Sequence, residues 1–289
     1  MVVVLPIADS DLPAVCRFLA RGFNAEGGWE TWLAAFRQQW AAEPPNHGYM
    51  LQDGGRIVGA IGAIYSDQII RGRRERFCSI NNWYVDPEYR AHSILLLSRL
   101  LAQKGVHFTN LTPRPDLVSL YTALKFRFVD DGRVTYLPNL PRLLPLRHSK
   151  VLTESDAVAA VLPSADAKAF RDHLACPGLI QVALGSPAEG FCHVAFYKTT
   201  IQHIPCISII HVSDRRLFSR HWPTLRSRFL LHHRAPIARI ESRLLSTTPR
   251  LAVEVKREPH TMFLSNTLTS ADVSNLYTEL PAMHARSTA

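Results

Sequence analysis

Residues 79–97 read SINNWYVDPEYRAHSILLL, and this stretch decides the fold. Its first part is rich in β-branched and aromatic residues, which predicts a strand that ends at Val85. Asp86-Pro87 then starts a helix that we predict over residues 89–103. A helix that begins directly after a strand presents free backbone N–H groups and the positive end of its dipole. Such a place suits a pyrophosphate group.

The sequence on either side predicts alternating strands and helices. Residues 1–137 give the order β-α-α-β-β-β-α-β-α-β-β, starting with a strand at residues 2–7. The proline-rich residues 138–148 have no hydrophobic period and predict a linker, after which the order partly repeats. We therefore predict two domains, 1–147 and 148–289, related by internal duplication, with one larger domain as the alternative.

A second motif, LYTALKF, follows at residues 120–126. It predicts a helix that carries Tyr121 in its last turns and leads into a strand. Residues 85–95 resemble the acyl-CoA-binding signature V-x-P-x-[YFW]-R-x-x-G-x-[GA] of the GNAT acyltransferase superfamily, and LYTALKF resembles that superfamily's later L-Y-x-x-L-G-F element. The resemblance implies an α/β fold, with a mixed central sheet flanked by helices, and two such units in tandem.

Three positions depart from these signatures. Ser93 and Leu95 stand where the superfamily has glycine, or glycine or alanine, and Lys125 replaces the glycine before the phenylalanine. Small residues at the first two positions let the helix backbone approach a pyrophosphate closely. The Ser93 hydroxyl could donate to a phosphate. The larger Leu95 side chain is compatible with that approach if it turns toward the core.

The resemblance also implies roles for individual residues. Backbone groups of Trp83, Tyr84 and Val85 would hold the pantetheine arm and polarise the acyl carbonyl. Tyr121 would protonate the departing thiolate, with packing alone as the alternative. The pyrophosphate would be held by the backbone N–H groups of six residues: Arg90, Ala91, His92, Ser93, Ile94 and Leu95. The Arg90 side chain would add positive charge.

An amine acceptor must lose a proton before it attacks, and a carboxylate or an ordered water usually takes that proton. The strand before the helix offers Asn81 and Asn82 but no acidic residue. Water, Asp67 or His107 could then accept the proton, or the nucleophile could be of another kind. We interpret the two asparagines as catalytic-site residues that position the substrate, with satisfaction of strand or turn backbone as the alternative.

The second half of the chain lacks both signatures. Residues 211–216 read HVSDRR where the first half has its helix-start motif, without the proline or the small residues. We expect a degenerate GNAT-like unit, or a unit that completes the substrate cleft or braces the first domain. Cys192-His193 with His203 and Cys206 match no familiar zinc spacing, so no metal is expected.

Composition limits the remaining classes of protein and partner. The 289 residues carry a net charge of +9, which favours anionic partners without choosing among them. The five cysteines form no C-x-x-C pair, and no apolar run reaches the ~20 residues of a membrane helix. We expect a cytoplasmic protein without membrane contact, possible homodimer formation, and no nucleic-acid partner, because the basic segments lack interleaved aromatic residues.

These observations together predict an enzyme. We expect an N-acyltransferase that moves an acetyl or other short acyl group from acyl-CoA to an amine of a small molecule or sugar by direct attack. A hydroxyl is the less favoured acceptor. The alternatives are a catalytically inactive GNAT-like protein that binds CoA or another anion, and a module that binds nucleic acid or another polyanion through its positive charge.

Overall fold

The computed structural model describes residues 1–24, 28–141, 148–259 and 261–283. Within these ranges the chain folds into two units, each built on a seven-stranded sheet flanked by helices. This is the mixed α/β architecture that the sequence predicts, in two copies. No described helix has the length and apolar composition that crossing a membrane requires.

The elements carry the following bounds in chain order. The strands are β1 (Val2–Pro6), β2 (Gly48–Asp53), β3 (Arg56–Ile70), β4 (Arg73–Val85), β5 (Val106–Asn110), β6 (Arg127–Phe128), β7 (Arg133–Pro138), β8 (Lys150–Leu152), β9 (Ile180–Ser186), β10 (Gly190–Ile201), β11 (Ile204–Val212), β12 (Ile237–Glu241), β13 (Val253–Lys256) and β14 (Met262–Leu264). The α-helices are α1 (Leu12–Gly22), α2 (Trp29–Arg37), α3 (Ser93–Leu101), α4 (Val118–Ala123), α5 (Ser155–Val161), α6 (Ser164–Asp172), α7 (Arg215–His233) and α8 (Glu279–Met283).

The first unit holds the sheet β1-β2-β3-β4-β5-β14-β6. Strands β4 and β5 run parallel, and the other neighbouring strands run antiparallel. Helix α3 buries Leu96, Leu97 and Leu100 against this sheet, which is one face of a 3.6-residue period. The outer residues of the same helix stay in solvent, so its position is fixed by apolar burial on one side.

The helix predicted over residues 89–103 is divided in the structure. Residues Pro87–His92 form a 3-10 helix, in which the Tyr89 N–H donates to the Asp86 carbonyl at 2.9 Å. The α-helical part begins only at Ser93. The tighter i→i+3 bonding uses N–H groups that an α-helical start would leave open.

The second unit repeats this plan with the sheet β13-β7-β12-β11-β10-β9-β8. Its parallel pair is β11 and β12, and the hairpin β10–β11 precedes α7 as β3–β4 precedes α3. Helix α7 packs on its own sheet through one row of residues, Phe218, Trp222, Leu225 and Phe229. The agreement of strand order, strand direction and helix placement supports the predicted internal duplication.

Each unit includes a strand from the other half of the sequence. Strand β7 lies between β12 and β13 in the second unit, whereas β14 lies between β5 and β6 in the first. The main division of the chain therefore falls between Val129 and Asp130, not at the predicted boundary of 147/148. The prolines that suggested the linker follow β7, and pairing with β12 places that strand in the second unit. Residues 142–147 of the predicted linker lie outside the described residues.

The exchanged strand β14 should contribute strongly to stability. Met262 on β14 is fully buried in the core of the first unit. We expect Met262→Ala to lower the free energy of unfolding by about 2–5 kcal/mol, because it removes apolar contacts and leaves a cavity. Leu231→Ala, at an exposed leucine of α7, should change it by less than about 0.5 kcal/mol. Urea denaturation followed by circular dichroism measures both, and equal small effects would contradict this account of β14.

Candidate active site

The parallel strands β4 and β5 separate in the middle of the first unit. Their pairing runs from Arg76 opposite Val106 to Ser79 opposite Thr109, and it ends there. Strand β4 continues to Val85, while β5 ends at Asn110. The two strands therefore open into a cleft at the carboxyl end of the parallel pair, which is where ligands of α/β sheets commonly bind.

A β-bulge in β4 lies beside this opening. Gly62 of β3 pairs with Asn81 and Ala60 pairs with Tyr84, so two residues of β4 face a single residue of β3. The first of these, Asn82, has a left-handed φ of +49°. Bulges of this kind redirect side chains and interrupt regular pairing. The bulge turns this part of β4 toward the cleft.

A cavity of about 240 Å³ occupies the cleft, and residues of the first unit form its walls. Its lining combines apolar and aromatic side chains with amides, one tyrosine, one arginine and one carboxylate. It consists of Phe23, Ile80, Asn81, Asn82, Trp83, Asn110, Thr112, Pro113, Arg114, Leu117, Tyr121 and Glu279. An apolar cavity with a few convergent polar groups is the usual form of a small-molecule site.

Tyr121 lies in the cavity wall, where its hydroxyl can donate a hydrogen bond. Its side chain is only 1% exposed, and its ring packs edge-on against Phe126 at 5.0 Å between centroids. The Asn110 amide donates to the phenol oxygen at 2.9 Å, and the Thr112 N–H donates to the amide oxygen of Asn110 at 3.2 Å. Since Asn110 is the donor to this oxygen, the O–H of Tyr121 remains available to donate. Burial raises the pKa of Tyr121 to about 12, so the phenol keeps its proton at neutral pH.

The two asparagines predicted as catalytic-site residues bond mainly to each other and to the backbone. The Asn82 amide donates to the Asn81 side-chain oxygen at 2.9 Å, and the Asn81 amide donates to the Ser79 carbonyl at 3.4 Å. Both residues line the cavity. The bonds that stabilise the bulge therefore also fix this part of the cavity wall.

Neither side chain named as an alternative base lies in the cavity wall. Asp67 binds Arg74 at 2.6 Å and Arg76 at 2.9 Å, and its pKa falls to about 2 because these guanidinium bonds outweigh the effect of its burial. Arg76 precedes Asn81 by five residues, or about 17 Å along the strand. His107 lies 3.2 Å from Glu75, near that same distant end of β4. Both expectations are therefore wrong.

The carboxylate of the site comes instead from Glu279, at the start of α8. The Ser79 hydroxyl donates to its Oε2 at 3.1 Å, and burial raises the pKa of this carboxyl above its usual value. Sequence reasoning missed Glu279 because 200 residues separate it from Ser79. No local motif connects this C-terminal segment to β4.

The first three predicted cofactor-binding residues, Trp83, Tyr84 and Val85, follow Asn82 along β4. Trp83 lines the cavity, Tyr84 packs between Phe18 and Phe23 with centroids 5.5 and 5.6 Å away, and Val85 is buried. These contacts keep β4 in place while its separated edge faces the cleft.

The predicted pyrophosphate segment follows in the 3-10 turn and the start of α3. Arg90 and Ala91 are exposed, and His92 and Ser93 are half-buried. Ile94 and Leu95 are 39% and 44% exposed. The Leu95 side chain therefore does not turn toward the core. The Ser93 N–H donates to the Arg90 carbonyl, so one of the predicted N–H donors is already used.

The starts of α3 and α7 differ in a way that matters for anions. The residue before α3, His92, makes no side-chain capping bond. The residue before α7, Asp214, accepts bonds from the N–H groups of Arg216 and Leu217 at 2.8 and 2.9 Å. A carboxylate of the chain itself thus occupies the place where a phosphate would bind at α7. The corresponding place at α3 has no such cap.

Comparison with known proteins agrees with this geometry. Residues 12–95 match the Acetyltransferase (GNAT) family. Solved structures with a similar fold include a GCN5-related N-acetyltransferase of Anabaena variabilis, with a TM-score of 0.60 and 12% identity over 91% of this chain and 72% of that one. Another, from Kribbella flavida, has a TM-score of 0.57 and 18% identity over 91% of this chain and 70% of that one. Comparison with curated proteins gives no match. The family match therefore covers part of the first unit, and the chain has the GNAT fold.

Metal chemistry has no evident site in the part of the chain that the structure describes. No group of three or more His, Cys, Asp or Glu side chains is placed there to hold a metal ion. Cys192 donates to the Leu184 carbonyl at 3.3 Å and Cys206 to the Ile207 carbonyl at 3.5 Å. These two thiols pack as buried side chains of the second sheet.

The protonation state of Tyr121 can be measured directly. We expect its phenol to titrate near pH 12, about two units above an exposed tyrosine. Asn110→Leu should raise that pKa further, because it removes a hydrogen bond that stabilises the phenolate while keeping the site apolar. NMR of ¹³C-labelled tyrosine, assigned by comparison with Tyr121→Phe, measures both values. A titration near pH 10 in the unaltered protein would contradict the assignment of Tyr121 as a buried donor.

Proposed function

We propose that this protein is an acyltransferase that moves an acetyl or other short acyl group from acyl-CoA to an amine of a small molecule by direct attack. The observation that carries the proposal is the cleft between β4 and β5, with the bulge at Asn82 on one wall and the Tyr121 hydroxyl on the other. The GNAT fold and the family match support acyl transfer as the reaction class.

The residues present fit an acyl-CoA at most positions. The separated edge of β4, from Trp83 to Val85, suits the pantetheine arm, since a strand without a neighbour offers backbone donors and acceptors. The uncapped start of α3 and the exposed Arg90 suit the pyrophosphate. The exposed Leu95 and the bonded N–H of Ser93 make this a weaker grip than one built from small residues. When bound, acyl-CoA supplies a thioester, which is an activated acyl group.

Tyr121 is proposed to stabilise the negative charge that develops on the sulfur. Its pKa of about 12 lies above the ~8.5 of an ordinary thiol, so complete proton transfer to a thiolate is uphill. A hydrogen bond from the phenol to the developing charge needs no such transfer, and it is strong in a dry site. Tyr121 therefore acts mainly as a hydrogen-bond donor that can release its proton late.

The second unit is proposed to bind no CoA. Asp214 occupies the start of α7, and the segment after β11 lacks the residues of the CoA signature. The second unit keeps the duplicated strand and helix plan without these residues. A catalytically inactive CoA-binding protein remains the alternative function, and it is the one favoured by the exposed Leu95 and by Lys125.

Cofactor binding is tested by calorimetry with CoA and acetyl-CoA. We expect the unaltered protein to bind both, and Arg90→Ala/Ser93→Glu to weaken binding by at least about tenfold, because it removes a cation and adds a carboxylate at the phosphate place. Arg216→Ala, which removes an exposed arginine at the start of α7, is the control and should bind within about twofold of the unaltered protein. Absence of binding by the unaltered protein would exclude the proposed function.

The role of Tyr121 is tested by steady-state kinetics with acetyl-CoA and a panel of primary amines. Tyr121→Phe should lower kcat by about 10² or more while CoA affinity stays unchanged, since the lost bond forms mainly in the transition state. Tyr65→Phe is the control, because Tyr65 is equally buried in the first unit and does not line the cavity. Retention of half the activity by Tyr121→Phe would exclude this role.

A further inference from the structure

We infer that Glu279 is a catalytic residue that receives the proton from the acceptor's ammonium group, and that the cavity selects a compact primary amine with an apolar body. The inference rests on the proposed function and identifies its acceptor class and its base. The part of β4 that lines the cavity, residues 80–83, carries no carboxylate, and an acyltransferase of amines would need one near the acceptor. The tertiary structure places a carboxylate in the same cavity from the far end of the chain.

The backbone around Glu279 is held by packing. Tyr277 sits edge-on against Trp40 at 5.6 Å between centroids, and Thr278 is almost fully buried. The Leu280 N–H donates to the Thr278 hydroxyl at 3.3 Å, and α8 packs against α2. These contacts fix where α8 begins, so Glu279 enters the cavity from a defined position.

The carboxylate itself is oriented and keeps room for a further donor. The Ser79 hydroxyl and the Glu279 backbone N–H donate to it. An ionised carboxylate has about four acceptor positions. Two donors therefore leave capacity for an ammonium group, which brings up to three N–H bonds of its own.

The charges around the cavity favour a cation. The other titratable groups in its wall are Tyr121, which is neutral, and Arg114, whose guanidinium is bound by Asp116 at 2.8 and 3.0 Å. The helix packed against α8 is α2, with Glu30 in its first turn and Arg37 in its last. With Arg114 already paired, Glu279 is the net charge in the cavity wall, and a protonated amine complements it.

The size and surface of the cavity define the rest of the acceptor. A volume of about 240 Å³ is below the ~300–1,000 Å³ of typical drug-sized pockets, so the part of the acceptor that enters is small. Phe23, Trp83 and Leu117 supply apolar wall area. A short amine with an aromatic or aliphatic body uses both features.

The transfer is balanced in protons and electrons. The ammonium proton moves to the Glu279 carboxylate, and the freed nitrogen lone pair forms the new C–N bond as the C–S bond breaks. The sulfur keeps the electron pair of the broken bond, receives the hydrogen bond from Tyr121 and takes up one proton, which balances the second proton that the nitrogen releases as the amide forms. Loss of one proton to solvent from Glu279 completes the turnover, with a free thiol and an amide as products.

The pH dependence follows from the environment of Glu279. Burial raises the pKa of its carboxyl above the ordinary ~4.3, which makes the carboxylate a stronger base. The native state then binds the proton more tightly than the unfolded state, so this group lowers stability as pH rises through its native pKa. Above that pKa the carboxylate costs stability and provides basicity.

The experiment uses the full-length protein, acetyl-CoA and phenethylamine, with Glu279→Gln, Glu279→Asp and the exposed control Glu154→Gln. We expect Glu279→Gln to lower kcat/KM by about 10² and to remove the acidic limb of its pH profile, while its Tm at pH 8 equals or exceeds that of the unaltered protein. Glu279→Asp should restore part of the rate. Glu154→Gln should match the unaltered protein in every readout.

A second measurement separates this inference from the proposed function. Calorimetry without acetyl-CoA compares phenethylamine with its neutral analogue 2-phenylethanol. The amine should bind more tightly to the unaltered protein, and Glu279→Gln should abolish that preference. If the unaltered protein acetylates no amine, the proposed function is excluded. A preference for the amine that Glu279→Gln abolishes would still support Glu279 as the cation site. An active protein whose Glu279→Gln variant keeps its rate, its pH profile and its amine preference would overturn the inference alone.

Discussion

The site depends on the separation of β4 from β5, and that separation depends on close packing at Gly62. A Cβ at Gly62 would lie 2.1 Å from the side-chain oxygen of Asn81 and 2.7 Å from the Phe36 ring. Only a glycine allows Asn81 to sit opposite it, and this pairing sets the register at which the bulge begins. A side chain there would displace the Asn81 amide, which lines the cavity, and the Phe36 ring. The position of Asn81 in the cavity wall thus depends on a glycine at position 62 of β3.

The exchange of strands connects the two halves of the sequence to this site. Strand β14 completes the first sheet beside β5, and the chain then returns to the first unit as α8. The same C-terminal polypeptide therefore stabilises the sheet that carries Asn110 and supplies Glu279. The domain that carries the CoA signature is not complete within the first 147 residues.

Two buried acids line one cavity, and their proposed tasks differ because the ordinary pKa of a phenol lies far above that of a carboxyl. Burial keeps the proton on Tyr121 and makes it a donor, while burial of Glu279 strengthens its carboxylate as an acceptor. Asn110 stabilises the first and Ser79 orients the second. The ion pairs of Asp67 have the opposite effect, since they lower its pKa and leave it a weak base. Local electrostatics therefore distinguishes the carboxylate that can take a proton from the one that cannot.

The sequence alone determined the α/β class, the order of most elements, the duplication and the place of the CoA-like motif, because hydrophobic period and turn residues act over short distances. It also placed Tyr121, Asn81 and Asn82, which lie within motifs or beside them. Only the tertiary structure decided the strand exchange, the exposure of Leu95 and the arrival of Glu279 at Ser79. The strand exchange and the position of Glu279 depend on contacts between segments about 100 or more residues apart, and a single sequence carries no local signal for which strands will pair or which distant side chain will fill a cleft. The exposure of Leu95 depends on which face of α3 packs on the sheet.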